Sequence, residues 1–253
     1  MAEIPAAART ELTPTGKLRV GINLSNFLLT RADEATGEYS GVAVDLGREL
    51  GRRLDVEVEI VPYPSPGALA DAAKDDAWDV GFLGAEPQRA NEIAFTAAYV
   101  EIEATYLVPP GSTLSSIAEV DRAGVRIGVP TKSAYELYLT RSLKHAKLEH
   151  EKGADNAFKR FVDDKLDALA GLRPRLVTDQ EKLPGSRILE GNFTAVQQVA
   201  GTPKARTAAA RYLSDFIENA KSSGLVAAAI EANGVRGLTV APAAFVQPQG
   251  GAE

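Results

Sequence analysis

Trp78-Asp79-Val80-Gly81-Phe82-Leu83-Gly84-Ala85-Glu86-Pro87-Gln88-Arg89 is an apolar strand that runs out into small residues, then a Glu-Pro step, then an arginine opening a polar turn. Upstream of it, a short helix is expected over 68–73, breaking before Trp78. Before that, Val56, Val58 and Ile60 alternate as a strand does, and Leu46, Leu50 and Leu54 recur every four residues as a helix face does. A strand over 18–22 and a turn region ending at 37–41 precede them. This β-turn-α-β-α-β order implies a mostly parallel sheet with covering helices.

Downstream the theme repeats. Val125-Arg126-Ile127-Gly128-Val129 reads as a strand, and a helix is expected over 133–145 with Tyr135, Tyr138, Leu139 and Leu143 on one side. A helix over 157–164 and a strand over 166–170 follow. Two similar β/α units joined by extended segments imply an α/β protein of two lobes with a cleft between them. The expected division is a flexible leader over 1–16, lobe 1 over 17–103 plus 199–240, lobe 2 over 104–198, and a flexible tail over 241–253. A C-terminal helix is read from Thr202 as N-cap and Pro203 at its first position. It continues through Ala209, Tyr212, Leu213, Phe216, Ile217 and Ala220 to a cap at Gly224, with a second helix over 225–233.

Composition narrows the function. The 253 residues carry a net charge of -6, and an acidic chain lacks the basic stripe that a nucleic-acid binder needs. Apolar residues at 45% and charged residues at 25% are those of a globular protein with a real core. The absence of cysteine removes disulfides, thiolate nucleophiles and Cys-based metal sites together. The two histidines, His145 and His150, flank a Lys/Glu-rich stretch that reads as a solvated helix end, so no metal site is expected. No apolar run approaches the ~18 residues of a membrane span. The start, Met1-Ala2-Glu3-Ile4-Pro5, lacks a basic segment followed by an apolar one, so the chain reads either as cytoplasmic or as a mature form that has lost its signal peptide.

Common catalytic motifs are missing: no P-loop, no dinucleotide glycine fingerprint, no His-Glu-x-x-His and no Gly-x-Ser-x-Gly occurs. No cofactor is expected. What remains is Arg89. In an open α/β sheet, ligands sit beyond the carboxyl ends of strands, and an arginine there presents a planar fork that matches a carboxylate. The same arginine equally suits an ordinary cap or ion pair in a surface turn.

The pattern around Arg89 resembles the bacterial extracellular solute-binding proteins of family 3, the type 2 periplasmic binding fold for polar amino acids. The matching residues are Asp79-Val80, Gly84-Ala85, Pro87-Gln88-Arg89 and Ile93-Ala94-Phe95-Thr96-Ala97-Ala98-Tyr99, with Lys17-Leu18-Arg19-Val20-Gly21 and Tyr39-Ser40-Gly41-Val42-Ala43-Val44-Asp45-Leu46 before them. The resemblance runs from about Gly16 to Asn233. It implies that Arg89 grips the ligand's carboxylate from lobe 1 and that Ser133, at a helix N-terminus in lobe 2, grips it from the other side, where free N–H groups and the helix dipole favour an anion. It further implies an aromatic against the ligand, Phe27 first and Tyr106 or Tyr135 after it, with core packing the alternative role. Lys132 stands where the family has glycine.

Two departures bear on the ligand. The turn before Arg89 is two residues shorter than in the family and lacks its threonine, and Glu86 enters it. The family's amine-binding aspartate falls on Leu172, next to Arg173, and leucine offers an ammonium no partner. The resemblance then points to an organic acid, with two anionic ends held by Arg89 and Arg173, or to an amino acid whose amine Glu86 pairs. Crossings over 100–107 and 194–200 are expected to act as hinges, with Gln197 and Gln198 lining the floor of the cleft. The implied role is a monomeric periplasmic receptor, not an enzyme, that closes on a small carboxylate and docks on the membrane permease of an ABC importer. The alternative is a cyclohexadienyl-dehydratase-like enzyme on the same fold.

Overall fold

A computed structural model describes residues 4–235 and 238–244. In chain order the elements are helix α1 (Ala6–Leu12), strand β1 (Leu18–Asn23), the short pair β2 (Arg31–Ala32) and β3 (Tyr39–Ser40), helix α2 (Val42–Leu54), strand β4 (Val58–Tyr63), helix α3 (Pro66–Asp71), strand β5 (Val80–Gly84) and the long strand β6 (Ile93–Val108). Then follow β7 (Arg126–Pro130), α4 (Ala134–Ser142), β8 (Lys147–Glu151), α5 (Ala154–Asp163), β9 (Ala168–Leu172), α6 (Arg173–Lys182), β10 (Arg187–Ile188), β11 (Thr194–Pro203), α7 (Thr207–Ser222), α8 (Leu225–Ala232) and β12 (Thr239–Val240).

The main sheet has the order β4-β1-β5-β11-β6-β9-β7-β8. Strands β4, β1 and β5 are parallel, as are β8, β7 and β9. Between these blocks lie β11 and β6, antiparallel to each other and to the strands they flank. This is the two-lobed α/β fold, with two long strands as the crossings. Each block has its own core. In the first, Leu18, Val20, Ile22, Val80 and Phe82 pack under Leu46, Leu50 and Leu54 of α2 and Leu213, Phe216 and Ile217 of α7. In the second, Ile127, Val129, Ala168 and Ala170 pack against Tyr135 and Leu139 of α4.

Helix α2 lies very close to the sheet, and two glycines on its inner face permit that. A Cβ at Gly47 would sit 2.8 Å from Val20 Cγ1, and one at Gly51 would sit 2.1 Å from Val58 Cγ2. Both are below any real carbon contact, so a side chain there would lift the helix off β1 and β4.

The two blocks share a backbone clasp. Arg19 N donates to Asp79 Oδ2 at 2.8 Å and Asp79 N donates back to Arg19 O at 2.8 Å. In the second block, Arg126 N donates to Asp167 Oδ2 at 2.8 Å and Asp167 N donates to Arg126 O at 3.0 Å. Each aspartate thus starts one strand while tying it to its parallel neighbour. The first clasp is the stronger. Asp79 is fully buried and also accepts from Arg19 Nε at 3.1 Å, Arg19 Nη2 at 2.7 Å and Arg206 Nη1 at 2.7 Å.

Several expectations need correction. Residues 6–12, expected as part of a loose leader, form α1. Ala8 and Leu12 stand one turn apart and are buried, and Ala209 N of α7 donates to Glu11 Oε2 at 2.8 Å. Thr202 and Pro203 do not start the C-terminal helix. They extend β11 and pair with Ala94 and Ile93 of β6, and α7 begins at Thr207. Helix α4 ends at Ser142, short of 145, because the Asp121 carboxylate gathers the N–H groups of Lys144, His145 and Ala146 and draws the chain out of the helix. Thr239–Val240 at the end of lobe 1 pair with β6, and in the expected tail Ala241 N donates to Tyr99 O at 3.0 Å, while 245–253 lie outside the described residues.

Asp79→Ala would leave two largely buried guanidinium groups without their acceptor. Urea unfolding should show a loss of about 3 kcal/mol with an unchanged slope, whereas Asp167→Ala, at a half-exposed clasp, should cost under about 1.5 kcal/mol.

Candidate functional site

A concavity between the two cores lies where the strands of both blocks end. Asn23 closes β1, Gly84 closes β5, Pro130 closes β7 and Leu172 closes β9, and all four line it. Val196 and Gln198 of β11 line it as well. The N-termini of α3 (Ser65, Pro66), α4 (Ser133, Ala134, Tyr135) and α5 (Gly153, Ala154) face it. Its empty volume is about 610 Å³, open mouth included. The helix N-termini bring positive potential to this end of the strands, where open α/β sheets bind ligands.

Arg89 also lines this cavity, on a 3-10 turn over Arg89–Asn91 that follows the Gly84-to-Gln88 loop. It is 7% exposed. Its Nη1 donates to Gly84 O at 2.5 Å and its Nη2 to Lys132 O at 2.8 Å, so the guanidinium bridges β5 in the first block to the turn before α4 in the second. Among the described residues no carboxylate forms an ion pair with it. Burial pulls its pKa down to about 10, partly offset by the fields of Glu86, Asp71 and Glu136, so it stays charged at neutral pH. Of the five N–H groups of a guanidinium, two are committed, and the rest are free for an acceptor.

Opposite it, Ser133 caps α4. Its hydroxyl accepts from Glu136 N at 3.1 Å, which leaves the hydroxyl proton and the first-turn N–H groups available. Lys132, just before it, adopts a left-handed conformation with φ 59°. The backbone here favours glycine, yet Lys132 is held by an ion pair to Asp71 at 2.6 Å and by its N–H on Glu136 Oε2 at 3.1 Å.

The other sequence-derived residues divide. Leu172 and Tyr135 line the cavity, and burial pushes the Tyr135 hydroxyl pKa up. Phe27 does not line it. It lies 37% exposed on the loop after β1, while its neighbours Asn26 and Ser25 face the cavity. Tyr106 sits in the second core, its ring 4.6 Å from that of Phe193. Glu86 is buried outside the cavity and pairs with Arg141 of α4 at 2.6 Å. Arg173 is turned away too: β9 pairs Leu172 with Ala104, which sets Arg173 beside Glu103, and Nε reaches Glu103 Oε2 at 2.7 Å while Nη2 bonds Gly191 O. Gln197 donates to Glu101 Oε1 at 2.8 Å, and strand alternation gives the cavity to Gln198 instead. Asn23, Ser25, Asn26, Ser65 and Thr131 were missed, since each is a small polar residue at a strand end or in the loop after it, indistinguishable in sequence from solvent-facing loop.

His150 stands 3.0 Å from Glu136 Oε1, behind α4 rather than in the cavity. No group of three metal-binding side chains occurs among the described residues, and no described helix is long and apolar enough to cross a membrane.

Comparison with known proteins agrees with this fold. The model for the family described as "Bacterial extracellular solute-binding proteins, family 3" matches residues 18–233. Among solved structures, a solute receptor for L-cysteine of Neisseria gonorrhoeae is 19% identical with a TM-score of 0.76, over 92% of this chain and 96% of that one. A mutant of ArgBP from T. maritima is 22% identical with a TM-score of 0.73, over 89% and 98%. An ancestral amino acid-binding protein, described as a precursor of cyclohexadienyl dehydratase, is 21% identical with a TM-score of 0.74, over 90% and 99%.

Glu86→Gln leaves the cavity lining intact but breaks the buried ion pair that joins the Arg89 loop to α4. Because Arg141 stays partly exposed, unfolding stability should fall by under about 1 kcal/mol, read by urea titration at low salt.

Proposed function

The chain belongs to the bacterial extracellular solute-binding proteins of family 3, and from that premise we propose that it is the periplasmic receptor of an ABC importer, closing on a small carboxylate-bearing solute. The observation that carries the ligand class is Arg89: a buried, charged guanidinium with free donors, facing a cavity and lacking a protein carboxylate. A buried charge without a partner costs several kcal/mol, and an anionic ligand would offset that cost. Ser133 and the N-terminus of α4 would hold the same group from the other side.

Closure would turn about β6 and β11, the two strands that join the blocks, with lobe 1 as 17–103 plus 199–240 and lobe 2 as 104–198. Arg89 donates to a carbonyl across that division, so gripping the ligand and approaching the second lobe are one event. In this reading the receptor acts as a monomer, and its partner is a membrane permease. A dehydratase would need a proton donor in the cavity, and no Asp or Glu stands among the lining residues.

Isothermal titration with a panel of carboxylic acids should find a binder, and small-angle scattering should show the protein contract with it. Arg89→Met should weaken that binding at least about 100-fold. Binding that survives Arg89→Met, or aromatic product formed from prephenate, would refute the receptor reading.

A further inference from the structure

The cavity's charge inventory says more about the solute than its carboxylate. Arg89 is the one charged side chain among the residues that line it. The acids nearby are all engaged elsewhere: Asp71 with Lys132, Glu86 with Arg141, and Glu136 with Lys132 N, Thr140 Oγ1 and His150. Leu172 and Val196 occupy cavity wall that could have carried a carboxylate. An ammonium enclosed here would lose its hydration and meet one like charge and no unlike one.

The polar groups that remain are carboxamides and hydroxyls. Asn23 Oδ1 already accepts from Ser25 N at 3.1 Å and Ser25 Oγ at 2.8 Å. Gln198 is 4% exposed, and its Oε1 receives only a long 3.5 Å contact from Asn26 Nδ2. Asn26 Oδ1 is buried and has no hydrogen-bond donor in the protein. An unsatisfied buried acceptor beside a ligand cavity needs a donor, and a hydroxyl supplies one without bringing a charge.

Building on the carboxylate role of Arg89, we propose that the solute is a monocarboxylate whose second polar group is uncharged, a 2-hydroxy acid rather than a 2-amino acid, with Asn26 and Gln198 reading that group. The apolar remainder would rest on Pro66, Tyr135, Leu172 and Val196. The engaged Glu86 and Arg173 take no part, which removes both the amine-pairing and the second-anion roles from the site.

Calorimetry on the whole protein with matched pairs tests this: lactate against alanine, 2-hydroxyisovalerate against valine, 2-hydroxyisocaproate against leucine, phenyllactate against phenylalanine. In the best-bound pair the hydroxy acid should bind roughly 10-fold or more tightly than the amino acid. Asn26→Ala should weaken that hydroxy acid roughly 10-fold more than it weakens the plain acid lacking the hydroxyl. Leu172→Asp, which puts a carboxylate into the wall, should reverse the preference within the pair. An amino acid that binds wild type as tightly as its hydroxy partner, and loses binding with Arg89→Met, overturns the hydroxy-acid inference and leaves Arg89 as the carboxylate ligand. Equal losses of both acids in Asn26→Ala overturn the role of Asn26. Binding of neither class, or binding indifferent to Arg89→Met, overturns both readings.

Discussion

A guanidinium that stays charged inside the protein without a carboxylate beside it is the constraint around which this site is organised. Arg89 is kept there by two backbone carbonyls, one from the end of β5 and one from the turn before α4. Carbonyls orient the fork but bring no negative charge, so the desolvation that lowers its pKa to about 10 stays largely uncompensated. The loop from Gly84 to Gln88 brings the side chain back under its own strand, and the left-handed turn at Lys132 aims a carbonyl at it from the other block. Both local features serve one arrangement: a positive charge at the junction of two cores, open on one side to a cavity.

The same junction shows how the two blocks can be alike and yet differ in strength. The Arg19–Asp79 and Arg126–Asp167 clasps repeat one backbone pattern at equivalent strand starts. Only the first is sealed from water and joined by a second arginine, Arg206, from the turn leading into α7. Burial makes its geometry costly to break, so the first block has a fixed frame on which the Arg89 loop is mounted. The second block has a half-exposed clasp and a smaller core, and it contributes helix N-termini and wall rather than the charged group.

Much of this was legible in the chain because it rests on periodicity. Leu46, Leu50 and Leu54, the alternating strand at Val58 and Ile60, and the apolar run after Asp79 announce elements that the structure contains. Arg89, Ser133, Tyr135 and Leu172 were singled out by the family resemblance rather than by periodicity, and all four line the cavity. What failed depended on register and on distant partners. Whether Gln197 or Gln198 faces the cavity is decided by strand alternation plus a bulge at Gln198 and Val199, and neither is visible locally. Arg173 was drawn off by Glu103, seventy positions away in sequence, because β6 and β9 pair in that register. Helix α1 exists because α7 offers Ala8 and Leu12 a surface, a tertiary fact that an Ala-rich leader does not disclose.

The contacts that cross between the blocks near Arg89 also bear on the closure proposed for the protein. They are the Arg89 bond to Lys132 O, the Lys132–Asp71 pair and the Arg141–Glu86 pair, and all of them run from α4 or its leading turn to α3 or the Arg89 loop. Lys132–Asp71 is exposed at both ends and contributes little. Arg141–Glu86 is buried at the carboxylate and exposed at the guanidinium, so attraction and desolvation nearly cancel. Arg89 gains two hydrogen bonds while keeping its charge out of water. None of the three makes closure strongly favourable alone. An anion between Arg89 and the start of α4 changes that balance, because it neutralises a buried charge whose cost no described carboxylate meets, and only when the two blocks are together.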